Sequence, residues 1–171
     1  MRINVGCGGR RIPGYVGVDA VERPAADYIA PADKLPFPAG SCDEVMAIHL
    51  FEHILPWEAD KALMEWFRVL KPGGKLVLEM PDLRKCCENI LKILDGGVVM
   101  AGKHPDQAGM WGLFGDDRLR DPYMLHRWGY TFKTIKPKLE TAGFQKIKEL
   151  PTVFHPIGRH VRDFRVEAIK P

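Results

Sequence analysis

The 171-residue chain has the composition of an ordinary globular domain, with 46% hydrophobic and 27% charged residues. A formal net charge of +3 is too small to indicate a nucleic-acid-binding protein, and no apolar run approaches the roughly 20 residues that span a membrane. The four cysteines have the spacing of neither a disulfide framework nor paired zinc ligands, and the first residues lack the apolar core of a signal peptide. We therefore expect one domain over residues 1–171, in the cytoplasm.

The start of the chain predicts a strand, a tight turn and a second strand. Residues 2–5 form the first strand, the Gly-Cys-Gly-Gly run at 6–9 forms the turn, and residues 15–18 form the second strand with Asp19 at its carboxyl end. Glycines let the backbone approach a ligand that a Cβ would repel, and ligands of open α/β sheets bind outside the carboxyl ends of the strands. A carboxylate there can accept hydrogen bonds from ribose hydroxyls. The stretch predicts a nucleotide-type cofactor site.

The spacing of this turn distinguishes between cofactors. Gly6 and Gly8 fit a dinucleotide fingerprint, but Arg11 stands at the third glycine and Asp19 follows too early. The turn instead resembles motif I of class I S-adenosylmethionine-dependent methyltransferases. A nicotinamide oxidoreductase is the weaker alternative. The resemblance implies that the ribose is held by Asp19 and that the turn contacts the cofactor through Val5, Gly6, Cys7 and Gly8. Only about nine residues separate the two strands, too few for a crossover helix, so that helix should be shortened or absent.

The next elements carry further parts of the same resemblance. Residues 28–29 suggest a short third strand, 43–49 a buried strand, 56–70 a helix and 75–80 a fifth strand. The run R-V-L-K-P-G-G-K-L-V-L at 68–78 resembles the family's helix, turn and fifth strand. The L-P-F-P segment at 35–38 resembles the approach to its fourth strand, which implies that Asp33 and Leu35 lie near the adenine. In the family, His49 would then stand beside the sulfonium.

Residues 49–53, His-Leu-Phe-Glu-His, match the inverted zinc-protease signature. Zinc chemistry of that kind needs both histidines one turn apart on a helix, plus a third ligand. Here His49 ends a strand and Pro56 restricts any helix that follows. We expect no metal, and interpret Glu52 and His53 as a structural pair.

The second half of the chain predicts an irregular insertion between two helices. Leu83, Cys87, Ile90 and Leu94 have helical spacing and should face the core in a helix over residues 83–95. Residues 96–125 show no period, which is typical of a functional lid. We expect residues 96–130 to fold over the cofactor and bind the acceptor, with a base from His49 or His126. The other proposed acceptor contacts are Trp111, Arg127, Trp128 and Tyr130.

The last forty residues predict a helix over 131–142, kinked or shortened by Pro137, and strands over 144–150 and 161–169. Helix, Ala-Gly-Phe, strand and strand resemble the family's closing hairpin. The resemblance as a whole implies an α/β, Rossmann-like class I methyltransferase sandwich of three layers, with a mostly parallel sheet closed by an antiparallel hairpin. Its layout most resembles a compact bacterial or phage branch.

The expected function is methyl transfer from S-adenosylmethionine, with S-adenosylhomocysteine as product. The acceptor would be a small molecule or a glycan. The nine Lys/Arg against four Asp/Glu over residues 131–171 favour an anionic acceptor, and the resemblance to the compact branch implies a glycan. A non-catalytic module that only binds the cofactor is the alternative, since a fold does not establish a function.

Overall fold

The centre of the protein is a seven-stranded sheet. The computed structural model describes residues 1–99, 108–154 and 159–171. The strands in chain order are β1 (Arg2–Val5), β2 (Val16–Asp19), β3 (Tyr28–Ile29), β4 (Cys42–Ile48), β5 (Leu70–Pro81), β6 (Gln145–Leu150) and β7 (Asp163–Ile169). They lie side by side in the order β3-β2-β1-β4-β5-β7-β6. The first five are parallel, and β7 pairs antiparallel with both β5 and β6. The predicted fold class is therefore confirmed.

The central strand β4 is covered on both faces. Val45, Met46 and Ala47 are consecutive and all buried, as expected of a parallel strand with layers on either side. The first crossover is short, as predicted: residues 6–15 contain turns and no helix. In place of a helix, the amides of Gly6 and Cys7 both donate to the carbonyl of Val18. The turn is thereby fixed directly to the neighbouring strand.

In the described part of the chain, four α-helices accompany the sheet: α1 (Ala59–Val69), α2 (Leu83–Leu94), α3 (Met110–Phe114) and α4 (Phe132–Thr141). Helix α1 buries Leu63, Trp66 and Val69, and Trp66 packs against Phe51 with ring centroids 5.7 Å apart. The predicted helix starts too early, because residues around Pro56 form a turn before α1. None of the described helices is both long and apolar enough to cross a bilayer.

Pro137 does not shorten the last helix, which was one of its two predicted effects. Helix α4 continues through Pro137 and begins with a capping box in which Thr131 and Thr134 bond each other's backbone amides. Proline removes the hydrogen bond to the carbonyl four residues earlier, at Lys133. Both residues lie on the exposed face, where water can satisfy that carbonyl.

The predicted core face of α2 is also wrong. Leu94 is 76% exposed and Cys87 is exposed, whereas Cys86 is fully buried. The helix packs on α3 through Cys86 and Ile90. A Cβ at Gly112 would lie 2.3 Å from the Cys86 sulfur, and a Cβ at Gly109 would lie 2.5 Å from Ile90. The face of α2 that packs inward is therefore determined by the close approach of the backbone at Gly109 and Gly112. The spacing of apolar residues alone did not predict this face.

The described part of the insertion over residues 96–130 is built from short local elements. Apart from 100–107, which lie outside the described residues, it contains α3 and short 3-10 turns at Asp117–Leu119 and Pro122–Met124. The side chains of Asp116 and Asp121 accept backbone amide hydrogen bonds at the starts of these turns. The segment is therefore built of short capped turns, whose length is below what hydrophobic periodicity can detect.

Candidate active site

A cleft of about 390 Å³ opens at the carboxyl ends of the parallel strands. Its wall includes Val5, Gly6 and Asp19, which end β1 and β2, and His49, which follows β4. The chain leaves β1 toward β2 on one side, while β4 lies on the other. Ligands of open α/β sheets bind at this kind of switch point.

The glycine turn forms one end of the cleft. Gly6 and Gly8 have φ angles of +70° and +54°, which glycine adopts without the strain a side chain would cause. A Cβ on Gly6 would lie 2.8 Å from the Leu50 side chain. Asp19 accepts the amide of Gly8 at 2.9 Å. The glycine turn and Asp19, which the sequence predicted to form one site, are thus in direct contact, and both line the cleft.

Two of the residues proposed for the cofactor lie behind the cleft. Cys7 is buried outside its wall, and burial raises the pKa of its thiol to about 11. Leu35 is in the core, where its amide donates to Glu65 at 2.7 Å. Asp33 does line the cleft, as do Ala30 and Ala32. The Asp33 segment therefore reaches the site through its polar residue and not through Leu35.

His49 lies directly after β4, one residue beyond its predicted place as the last residue of the strand, and its surroundings do not suit a base. Its Nδ1 lies 2.9 Å from Glu52 Oε1 and its Nε2 lies 3.1 Å from Asp163 Oδ2. Burial works against a charged ring, but the hydrogen bonds of Asp163 and Glu52 outweigh it and raise the pKa of His49 to about 9. His49 is therefore an imidazolium at neutral pH and has no lone pair to accept a proton.

Glu52 and Asp163 are the buried carboxylates that hold this imidazolium. Glu52 is 2% exposed and Asp163 is 1% exposed. Burial alone would raise the pKa of each carboxyl group, but the hydrogen bond to His49 prevails, so that the pKa of Glu52 falls to about 2 and that of Asp163 is also lowered. Arg162 adds a second ion pair to Asp163.

His126 differs from His49 in that it is held neutral. Its Nδ1 lies 2.9 Å from the carbonyl oxygen of Gly112, and its Nε2 lies 3.9 Å from Glu52 Oε1. Burial lowers the pKa of His126. Its ring packs edge-on against His53, with centroids 4.7 Å apart. His53 lines the cleft and His126 stands directly behind it.

Of the four residues proposed to contact the acceptor, only Arg127 lines the cleft. Trp128 is 53% exposed and lies outside the cleft wall. Trp111 is buried, donates to Asp117 and is covered by the Arg118 guanidinium. Tyr130 is buried against Phe51, with centroids 4.9 Å apart. Trp111 and Tyr130 therefore pack the insertion onto the domain, and their rings are not available to stack on a ligand.

Several residues of the site were not predicted from the sequence. The 3-10 turn Pro122–Met124 contributes Tyr123 and Met124 to the wall, and Arg23 pairs with Asp121 at 2.6 Å, which ties the β2 side of the cleft to the insertion. Glu52 and His53 were visible as a motif, but Asp163 carries no local signal, because its role depends on a strand far along the chain.

Comparison with known proteins agrees with this geometry. A family model described as a methyltransferase domain matches residues 15–78. An S-adenosylmethionine-dependent methyltransferase from Thermotoga maritima shares the fold with a TM-score of 0.63 at 14% identity, over 99% of this chain and 81% of that one. A similar enzyme from Archaeoglobus fulgidus gives 0.62 at 16%, over 99% and 85%.

A third solved structure is phosphoethanolamine N-methyltransferase 2 from Haemonchus contortus, in complex with phosphomonomethylethanolamine and S-adenosylhomocysteine. It gives a TM-score of 0.58 at 14% identity, over 99% of this chain and 48% of that one. No curated protein matches the chain significantly. At these identities the structures establish the fold, and the family model adds the sequence signature. Together they show that the chain has the fold of S-adenosylmethionine-dependent methyltransferases and that residues 15–78 match a methyltransferase-domain model.

Proposed function

We propose that the protein is an S-adenosylmethionine-dependent methyltransferase that modifies an anionic small molecule or glycan, which binds at the Arg127 end of the cleft. The observation that carries the proposal is the continuity of the cleft. One cavity joins Gly6, Gly8 and Asp19 to His53 and Arg127. A cofactor at the glycine turn and an acceptor at Arg127 would then share one cleft. Membership of a compact bacterial or phage branch is part of the same proposal.

The glycine-turn end of the cleft fits the cofactor. The left-handed turn leaves the space above Gly8 free of side chains, and Asp19 and Asp33 present carboxylates that can accept hydrogen bonds from ribose hydroxyls and an adenine amino group. The bound cofactor supplies a methyl group already activated by its sulfonium. The protein's own task is to orient the acceptor and to exclude water.

The other end of the cleft favours an anion. Arg23 is neutralised by Asp121, whereas Arg127 has no carboxylate partner among the described residues. A guanidinium can bind a phosphate or carboxylate through two parallel hydrogen bonds. The phosphorylated ligand in the Haemonchus contortus structure is consistent with this class of acceptor for the fold. Of the two histidines proposed as a base, His126 retains a neutral ring and His49 does not.

The cofactor half of the proposal is tested by calorimetry with S-adenosylhomocysteine. Asp19→Ala should weaken binding at least about tenfold, because charge-assisted hydrogen bonds contribute roughly 1.5–3 kcal/mol each. Asp43→Ala is the matched control, since Asp43 lies at the opposite end of the β-strands and pairs with Lys71. Equal affinity in the folded Asp19→Ala protein would remove Asp19 from the site.

The acceptor half is tested with labelled S-adenosylmethionine and the small-molecule fraction of a cell extract. Anion exchange separates anionic from neutral compounds, and label should transfer to the retained fraction. Arg127→Gln should abolish that transfer while S-adenosylhomocysteine affinity stays within about threefold. Arg84→Gln, on the exposed face of α2, is the control. Transfer only to the neutral fraction would contradict an anionic acceptor. No transfer with intact cofactor binding would favour the non-catalytic module.

A further inference from the structure

A cluster of three potential metal ligands adjoins the cleft at His53. Glu52, His53 and His126 each place one ligand atom so that all three atoms lie within 4.8 Å of one another. Two imidazoles and one carboxylate are a donor set that proteins use for zinc and for iron(II). We propose that these three residues bind a divalent transition-metal ion at the acceptor end of the cleft.

The hydrogen bonds of both histidines favour metal binding. His53 Nδ1 lies 3.1 Å from the carbonyl oxygen of Leu125, and His126 Nδ1 lies 2.9 Å from that of Gly112. A carbonyl can only accept, so each Nδ1 carries the hydrogen and each Nε2 is left with a lone pair. Metal-binding histidines are oriented in this way by a backbone carbonyl on the other ring nitrogen.

One carboxylate oxygen of Glu52 is available to bind a metal ion. Its Oε1 accepts the hydrogen bond from His49, while its Oε2 is buried and has no hydrogen-bond partner among the residues that the structure describes. A buried carboxylate oxygen without a partner is costly, and a cation bound between Glu52 and the two imidazoles would satisfy it. His49, fixed in turn by Asp163, then orients the ligating carboxylate rather than binding the ion itself.

The backbone also connects the two segments that supply the ligands. The carbonyl of Glu52 accepts the amide of Arg127 at 2.7 Å and the amide of Trp128 at 3.2 Å. The residue after His126 is therefore hydrogen-bonded directly to another ligand residue. Bonds of roughly 2.0–2.2 Å to one tetrahedral ion place ligand atoms about 3.4 Å apart. Side-chain rotations that bring the three atoms together by on the order of 1 Å would complete the site.

The ion would lie next to Arg127 and the cleft. There it could coordinate an acceptor oxygen and lower the pKa of an acceptor hydroxyl. His126 would then act on the acceptor through the ion and not as a free base. This use of the ion rests on the proposed function, whereas binding of the ion does not. A metal site here would replace the sequence-based expectation of no metal, which considered His49 and His53 as a pair of ligands on one helix.

The test is metal binding by untagged, chelator-treated full-length protein, without cofactor or acceptor. Co²⁺ is followed by its visible absorption and Zn²⁺ by calorimetry, and both should bind at one equivalent. Mg²⁺ should bind far more weakly, because imidazole ligands favour transition metals. His53→Gln and His126→Gln should each weaken Co²⁺ binding at least about tenfold. The exposed His160 provides the control variant, His160→Gln, which should bind as the parent does.

Three results would overturn the site. The first is the absence of stoichiometric Co²⁺ and Zn²⁺ binding by folded protein. The second is unchanged binding in both His53→Gln and His126→Gln. The third is a Co²⁺ spectrum dominated by thiolate, which would place the ion on cysteines. Circular dichroism of each variant shows whether it is folded. Two histidine variants are used so that the test can still be made if one of them does not fold. Failure of methyl transfer in the extract assay leaves these outcomes unaffected.

Discussion

Three buried side chains, Glu52, His49 and Asp163, form a continuous hydrogen-bonded chain at the floor of the cleft. The central imidazolium lies between two carboxylates at 2.9 and 3.1 Å. The ring is charged because its partners compensate for its burial, and the carboxylates stay ionised because the ring is charged. Removing one member leaves an uncompensated charge in the interior. Charge balance thus couples the end of β4 to the start of β7.

We expect Asp163→Ala to lower the free energy of unfolding by about 3–5 kcal/mol, the usual cost of breaking a buried ion pair. Urea denaturation monitored by circular dichroism measures the change. The control is Glu88→Ala, which removes an exposed pair with Arg84 and should leave the unfolding curve almost unchanged. Equal effects of the two substitutions on the free energy of unfolding would show that the buried ion pair of Asp163 stabilises the fold no more than an exposed one.

A second prediction at the residue scale concerns Gly6. Gly6→Ala introduces a Cβ about 2.8 Å from Leu50 on a residue with φ of +70°. Gly40→Ala is a matched control, because Gly40 has φ of +64° but nothing within 4 Å of the added Cβ. Gly40→Ala should cost about 1–2 kcal/mol for the left-handed backbone alone. Gly6→Ala should cost more.

Because Leu50 and Gly6 both line the cleft, Gly6→Ala should also weaken S-adenosylhomocysteine binding, whereas Gly40→Ala should not. Denaturant unfolding and calorimetry on the same preparations give both quantities. If the two variants lose equal stability and bind equally well, the contact with Leu50 does not constrain the turn.

At the scale of elements, α2 shows how tertiary contacts choose one face of a helix. Cys86 and Cys87 are adjacent, yet one is fully buried against Gly112 and the other is exposed. Asn89 reinforces the orientation, because its amide donates to the carbonyls of Ala108 and Val161. A polar side chain thus bonds two other segments where an apolar stripe was expected, and the apolar Leu91 and Leu94 are left toward solvent.

This orientation predicts the reactivity of the thiols. In native protein Cys87 should react fast with a thiol reagent, while the reaction of Cys86 should be slow, because burial raises its thiol pKa to about 12 and reaction needs the thiolate. Cys87→Ser should remove the fast phase, followed by absorbance with Ellman's reagent. If the fast phase persists in Cys87→Ser and disappears in Cys86→Ser, the helix has the opposite orientation.

At the scale of the whole molecule, the cleft joins parts of the sheet and of the insertion that are distant in the chain. The wall contains residues that follow β1, β2 and β4 together with Tyr123, Met124 and Arg127 of the insertion. A ligand that fills this space contacts all of these segments only in the folded state. Its binding free energy therefore adds to the stability of the fold as a unit.

S-Adenosylhomocysteine at a hundredfold excess over its Kd should stabilise the protein by about 2.7 kcal/mol. For a chain of this size that corresponds to a rise in Tm of roughly 5–10 °C, measured by thermal unfolding. NADH at the same concentration should give no comparable shift. A larger shift with NADH would contradict the assignment of the cofactor and return the oxidoreductase to consideration.

Much of the fold could be read from local sequence. The strand, glycine turn and Asp19 all lie within the first nineteen residues, so hydrophobic pattern, glycine chemistry and spacing act over short distances. The same holds for the run from 68 to 78 and for the closing hairpin. The glycine turn and Asp19, which are in direct contact, were therefore correctly placed together. The fold class followed because each element was locally consistent with the next.

What the tertiary structure decided were the contacts between residues far apart in the chain. The sequence placed His49 next to the end of β4, but only the approach of Asp163 from β7 determines that it is charged. Trp and Tyr side chains are common in binding surfaces, and only the packing of the folded chain shows that Trp111 and Tyr130 lie in the interior. His126 meets Glu52 and His53 because backbone hydrogen bonds dock the insertion on the turn after β4. Side-chain ionisation and burial depend on the complete set of neighbours, which local pattern does not contain.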